Sequence, residues 1–324
     1  TQRTCASWFF PFVRFGSLVV KPLCSGLMHG FLNIDKPSGM TSHDVVVRIR
    51  RLSGQRRVGH AGTLDPAATG VLVVALGGAT RLIEYVQHQT LKRYLAAVRL
   101  GITTTTDDAD GEVVVRQPLP PLDRAMIEEA LAPLRGTIWQ TPPMYAALHH
   151  QGRRLYALAR AGVTVEPPPR QVYIERLELV EYKPPLLTLD VVCGSGTYIR
   201  ALARDLGVAL GCGAHLAALR RTAVGAFRIE DALPLHILEE EVRHNPSEAL
   251  YRRLLPPEVA VADWSVLCLD EEHARRIRHG LSIPASSNAP LQTRAHAPDG
   301  TLLALLRYDG SHWRPIKVFD WTDA

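Results

Sequence analysis

An aspartate followed by proline in a glycine-rich stretch is the feature of this sequence best suited to chemistry. In RVGHAGTLDPAATGVLVVALG, Asp65 precedes Pro66, and Gly59, Gly62 and Gly70 fall within a dozen positions. Glycines permit tight turns and let a substrate come close to the backbone. Pro66 keeps the aspartate out of helical geometry. A carboxylate presented in this way can serve as a nucleophile or as a proton acceptor. An isolated Asp-Pro is more often only a turn, so its surroundings have to decide. The stretch holds no second carboxylate near Asp65 of the kind a hydrolytic pair requires.

Other chemistries find little support. Cys5, Cys24, Cys193, Cys212 and Cys268 are scattered without a CxxC pair, which fits neither a disulfide framework nor a zinc cluster and suits a reducing compartment. CGSGTY lacks the spacing of a GxSxG nucleophile turn, and no GxGxxG or phosphate-loop string follows a strand. No metal and no cofactor are expected. The chain of 324 residues carries a net charge of +5, and RIRRLSGQRR places five arginines between Arg48 and Arg57. Such a run can be a solvated helix face, but guanidinium groups also suit paired contacts with phosphate. A nucleic-acid partner is therefore plausible. Arg153 and Arg154 form a second basic run.

The elements that must position these residues can be read from patterning. Phe31–Ile34 reads as a strand, stopped by the turn cluster DKPSG. Thr41 or Ser42 can cap a helix through DVVVRIRRLSG. VLVVALGGAT reads as a buried strand, RYLAAVRLGI as another, and TTTTDDADGE as loop and turn. PLDRAMIEEALAPLRG predicts a helix with Asp123 as N-cap and Gly136 as C-cap. LLTLDVVCGSGTYIRALARDLGVALG predicts a strand, a glycine turn and a helix. Without regular βαβ alternation the fold class is α+β, with a mixed, largely antiparallel sheet, flanking helices and a small, mostly β module after NPSEALYRRLLPPEV. The 46% hydrophobic content suits a globular chain. Residues 1–27 are expected to be an extension of doubtful structure, 28–255 the catalytic domain and 256–324 the β module. No stretch reaches membrane-spanning length.

RVGHAGTLDPAATGVL closely resembles the signature of TruB-type pseudouridine synthases, which carry GH-x-G-x-LDP-x-ATG. DKPSGMTSHDVV resembles that family's opening motif and the KRY of Lys92–Tyr94 its stacking-tyrosine motif. GTYIRALARDLG resembles its tyrosine-arginine motif and GCGAHLAALRRTAVG its last catalytic motif. The five occur in the family's order.

The resemblance implies a pseudouridine synthase fold and a definite reaction. The N1–C1′ bond of a uridine in the T-loop of tRNA (position 55) is broken and the base is rejoined through C5. Asp65 would be the catalytic carboxylate, acting as nucleophile or as proton acceptor from C2′. Arg200 would keep it ionised, and Tyr94 would stack on the base and relay the C5 proton. Tyr198 and Leu219 would line the uracil pocket, although Leu219, taken as helical, would ordinarily be core. His60 would contact substrate, and the region of His43 would fill space vacated by everted bases. The segment from residue 256 resembles, more loosely, a PUA-type RNA-binding domain.

Because all five motifs precede residue 230, the chemistry is expected to be complete without that module. A cytoplasmic monomer with no obligatory protein partner and no membrane association is expected. The rival reading is an RNA-binding or tRNA-folding protein that uses the same surface without dependence on catalysis. A guide-RNA-directed synthase, as in dyskerin-like relatives, would carry longer basic extensions.

Overall fold

A computed structural model of the chain describes residues 27–143, 149–150, 153–154 and 167–321. The expected extension therefore lies, but for residue 27, outside the described residues, as do the side chains of Arg153 and Arg154. Strand β1 (Gly30–Lys36) runs antiparallel to β3 (Thr69–Leu76), and β2 (Val58–His60) pairs with β3 from the other side. Helix α1 (Ser42–Ser53) begins at Thr41, where Thr41 and Asp44 form a reciprocal capping box, and stops at Gly54 in left-handed geometry.

The apolar run of β3 is explained by burial on both faces. Val71, Val73 and Ala75 enter one core with Phe31. Leu72, Val74 and Leu76 enter another, beneath the Val45, Val46 and Ile49 stripe of α1.

The main sheet continues through β4 (Lys92–Leu100), β7 (Gly136–Gln140), β10 (Arg170–Lys183), β11 (Leu186–Cys193) and β12 (Ala214–Val224). Its order is β14-β1-β3-β12-β4-β11-β10-β7, where β14 is Leu233–Pro234. Only the β1–β14 and β3–β12 pairs are parallel, so the sheet is mixed and largely antiparallel, as the patterning predicts. Helices α3 (Arg124–Leu131) and α4 (Ile199–Ala209) cover β4, β10 and β11 through a third core. A second sheet follows, formed by β15 (Ser265–Cys268), β16 (Ile283–Pro284), β17 (Gln292–His296), β18 (Leu302–Tyr308) and β19 (His312–Val318), in the order β15-β17-β18-β19-β16.

Four sequence expectations need correction. Helix α3 is capped by Asp123 but ends at Leu131, not at Gly136, because Pro133 has no N–H with which to extend the ladder. Gly136 instead opens β7 at φ 76°. TTTTDDADGE is not all loop: β5 (Ile102–Thr104) pairs with β6 (Val113–Arg116) around it. The exit segment holds a helix, Pro246–Arg253, whose Ala249 and Leu250 join the core beneath α1. Leu219 lies on strand β12, not on a helix; its helix-forming neighbours yield to pairing with β4.

The C-terminal sheet is not set apart from the catalytic body. Leu302, Leu305 and Phe319 share one core with Phe31, Val71 and Phe227. Phe31 and Leu255 exchange backbone hydrogen bonds at 2.9 and 2.7 Å. Lys317 donates to the Arg81 carbonyl at 2.6 Å and pairs with Glu84. A chain ending at residue 256 would leave Phe31 and its neighbours facing water. Each large apolar side chain lost from such a core is worth about 1.5–3 kcal/mol, so the sum rivals a domain's whole stability. The truncated chain is expected to be unfolded or aggregated rather than active, as circular dichroism and soluble yield would report.

Candidate active site

Asp65 sits at the tip of the loop between β2 and β3, and its carbonyl accepts from Ala68 N at 3.1 Å. The opening motif supports this loop from below. The Ser42 hydroxyl accepts from Leu64 N at 2.9 Å and donates to Leu64 O at 3.1 Å. Gly39 N donates to Pro66 O at 2.9 Å. Lys36, fully buried, donates through Nζ to the carbonyls of Pro37, Met40 and Pro66 at 2.9, 2.7 and 3.1 Å. Burial pulls its pKa down to about 8, against the opposing pull of Asp65. Gly70 closes the loop at φ 102°, where an added Cβ would lie 2.2 Å from the Arg221 carbonyl oxygen. Only glycine fits there.

Arg200, in the first turn of α4, reaches Asp65 Oδ2 through Nε at 3.2 Å and Asp108 Oδ2 through Nη1 at 3.2 Å. Its side chain is 7% exposed, while that of Asp65 is 45% exposed and opens to the cleft. One turn further, Arg204 pairs with Asp107 at 2.9 Å. Enclosure by the cleft walls pushes the Asp65 pKa up, Arg200 pulls it down, and Asp108 and Asp110 push it up again. Tyr198 is fixed through its backbone, with N and O both bonded to the Gln140 amide at 2.8 and 3.1 Å. The Arg170 guanidinium lies 4.8 Å from the centre of the Tyr198 ring.

Asp65, Tyr94, Tyr198, Arg200 and Leu219 line one cleft of about 560 Å³. Five of the residues singled out in the sequence thus converge. His60 and His43 are not among its lining residues. His60 is half-buried on β2, and its pKa is lowered by burial and then by the charges of Arg221 and His43. His43 is exposed on the first turn of α1. Tyr94 is buried, which pushes its phenol pKa up, while the neighbouring Arg221 pulls it down.

Sequence reasoning missed Lys36, Asp108, Arg170 and Arg221. Lys36, next to Asp35 in the DKPSG turn, reads as an exposed charge, and Asp108 is one of three aspartates in a polar run that reads as solvated. Of the arginines in RIRRLSGQRR, Arg48 pairs with Glu239, Arg50 donates to Val58 O and Arg57 to Thr80. Arg51 and Arg56 are exposed. Among the described residues no cluster of three or more His, Cys, Asp or Glu could hold a metal ion, and no helix is long and apolar enough to cross a membrane.

A mixed ten-stranded sheet with a cleft at its centre and a β domain at its C-terminal end defines a pseudouridine synthase fold. A chain in the structure of an H/ACA RNP bound to a substrate RNA containing 2′-deoxyuridine superposes with TM-score 0.71, covering 94% of this chain and 89% of that one at 24% identity. A chain of a Cbf5-Nop10-Gar1 complex superposes with TM-score 0.69, covering 90% and 84% at 26% identity.

Sequence comparison narrows the class. Residues 50–199 match the N-terminal domain of TruB family pseudouridylate synthases, 200–262 the tRNA pseudouridylate synthase B C-terminal domain, and 264–320 the tRNA pseudouridine synthase II C-terminal model. A protein from Dehalococcoides mccartyi named tRNA pseudouridine synthase B is 43% identical over 90% of this chain and 97% of its own length. Proteins of the same name from Thermobifida fusca and Streptococcus pneumoniae are 45% and 42% identical, again over 90% of this chain, and over 98% and 100% of their own lengths. The chain belongs to the TruB family of pseudouridine synthases.

Replacing Lys36 by methionine keeps the stem but leaves three carbonyls without their donor. The expected loss of stability is about 2–5 kcal/mol, read as a lowered midpoint in urea unfolding with the slope unchanged.

Proposed function

We propose that this enzyme converts the T-loop uridine at position 55 of tRNA to pseudouridine, with Asp65 as the catalytic carboxylate. The observation that carries this reading is the Arg200–Asp65 pair at 3.2 Å in a cleft shared with Tyr94. The homologues named tRNA pseudouridine synthase B support tRNA as substrate.

The reaction is an isomerisation. The N1–C1′ bond breaks, the freed base turns, C5 bonds to C1′, the proton on C5 departs and N1 gains one. No electron acceptor enters this balance. Asp65 acts at the sugar or base, as nucleophile or as acceptor of the C2′ proton. Arg200 orients it and favours its charged form. Tyr94 stacks on the base, and its phenol, neutral near pH 7, can pass on the C5 proton. Leu219 and Tyr198 flank the uracil. The target base must be everted from its loop to reach the cleft, and His43 and His60, outside the cleft, suit contacts with the loop around it. Residues 256–324 supply RNA contacts through the exposed Arg307, while Arg314 is engaged by Asp309 and Lys317 by Glu84. The enzyme works in the cytoplasm as a monomer, without cofactor, metal or obligatory protein partner.

The cleft also lines Lys92, Arg170, Arg200 and Arg221 against Asp65 alone, an excess of positive charge that favours holding RNA independently of turnover. Asp65→Asn separates the two readings. It is expected to abolish tritium release from C5-labelled uridine in tRNA while affinity stays within a few-fold. Turnover like that of the unaltered enzyme would remove Asp65 from the mechanism.

Because enclosure raises the Asp65 pKa and Arg200 lowers it, Arg200→Gln should raise it further. A carboxylate with a raised pKa is ionised only at higher pH, so the acid limb of the single-turnover rate should shift to higher pH in this variant. An acid limb that stays in place would show that Arg200 does not set the charge of Asp65. Tyr94→Phe is expected to retain affinity and slow the single-turnover rate, and Tyr94→Ala to weaken binding as well. Unaltered rates in both would leave Tyr94 as a core aromatic.

A further inference from the structure

Arg221 is the largest fully buried side chain of the described residues, at 1% exposure, yet it forms part of the cleft floor. On β12 it lies opposite Tyr94 of β4 and opposite Gly70 of β3. It thus stands between the strand that carries the tyrosine and the strand that follows the Asp65 loop. Its guanidinium donates from Nε to Val71 O at 2.7 Å, from Nη1 to Thr63 O at 3.3 Å and from Nη2 to Gly62 O at 3.0 Å. One planar group therefore bonds both ends of the loop whose tip is Asp65, and Tyr94, its partner across the β12–β4 register, feels its charge, which pulls the phenol pKa down against burial.

These hydrogen-bond acceptors are all backbone carbonyls, none of them a carboxylate. A cation buried on carbonyl dipoles alone is expensive to desolvate, and a shorter apolar side chain would fill the space without that penalty. The three-way span also requires the planar fork, whose three nitrogens each meet a different carbonyl; a lysine ammonium serves three carbonyls only where they converge on one atom, as at Lys36. The charge is felt by Lys92 in the cleft and by Lys36 and His60 behind it, whose pKa values burial lowers and Arg221 lowers further.

We propose that Arg221 is the positioning residue of this enzyme, holding the Asp65 loop and Tyr94 in one rigid frame. The proposal rests on the roles given above to Asp65 and Tyr94. Two groups that act in turn on the sugar and the base of one nucleotide must keep their spacing while that base rotates. A misplacement of about 1 Å can lower a rate about 100-fold. In this role Arg221 acts through the loop and the phenol, its donors being taken up by Val71, Thr63 and Gly62.

The test uses full-length Arg221→Lys, with single-turnover rate, tRNA affinity and amide hydrogen exchange measured together. The expected rate is about 100-fold lower, with tRNA affinity within threefold (~3×) and faster exchange confined to residues 62–68. Combined with Tyr94→Phe, the two losses should be less than multiplicative, because one acts partly through the other. A rate like that of the unaltered enzyme, or multiplicative losses with unchanged exchange in the loop, would overturn the proposal. Should Arg221→Lys fail to fold, exchange in the unaltered enzyme decides. Residues 62–68 should then be protected as well as β12, and exchange at the rate of an open loop would refute the frame. Asp65→Asn run alongside separates the two levels: an active Asp65→Asn defeats the functional reading, while the exchange data still judge Arg221.

Discussion

A guanidinium taken out of water is costly unless its charge or its donors are matched where it lies, and Arg200, with 7% of its side chain exposed, is matched by two carboxylates. That requirement draws three distant parts of the chain to one point: the loop of Asp65, the β5–β6 hairpin that bears Asp108, and the first turn of α4. Removing either carboxylate would leave the cation partly uncompensated, the costly way to break a buried pair. Asp107, at φ 61°, turns the backbone so that neighbouring aspartates serve Arg200 and Arg204, which face the hairpin four positions apart on one helix side. Aspartate is one of the few non-glycine residues that visit left-handed geometry, and here its carboxylate is held by Arg204.

The loop around Asp65 has carbonyls that no sheet ladder satisfies, and buried carbonyls need donors. Two long cations supply them. Lys36 serves Pro37, Met40 and Pro66, and Arg221 serves Gly62, Thr63 and Val71. Both ends of the loop are thereby tied down, and the Asp65 carboxylate stays open to the cleft. The same positive charges surround a pocket meant for an anionic polymer, so the groups that shape the loop also set the field a substrate meets.

Much of the architecture was legible because local signals agreed with one another. Thr41, one of two candidate caps, announces a helix start, VLVVALGGAT a buried strand, and Asp123 a cap; each is found where expected. Leu219 was misplaced because alanine and leucine favour helices in isolation, whereas pairing on both sides of β12 outweighs that preference. Gly136 misled because a glycine in left-handed geometry serves a strand entry as well as a helix end. Within the site, Asp65, Tyr94, Tyr198, Arg200 and Leu219 were legible from motif resemblance, and the cleft brings them together. Asp108 and Arg221 were not, because their significance lies in partners more than 90 residues away in sequence: 92 separate Arg200 from Asp108 and 158 separate Arg221 from Thr63.

That last separation has a consequence in time. Chains emerge from the ribosome at about 5–20 residues per second, so roughly 8–30 s pass between synthesis of Thr63 and of the arginine that holds it. Until β12 arrives, β3 lacks its parallel neighbour and the Asp65 loop has no anchor at Val71. β14 and then Leu255 must follow before β1 gains its outer partners. Contacts of such long range make for slow assembly, and the cleft cannot close on a partial chain. A nascent copy, synthesised amid the RNA of the ribosome itself, is therefore inert towards the uridines around it until nearly all of it has been made.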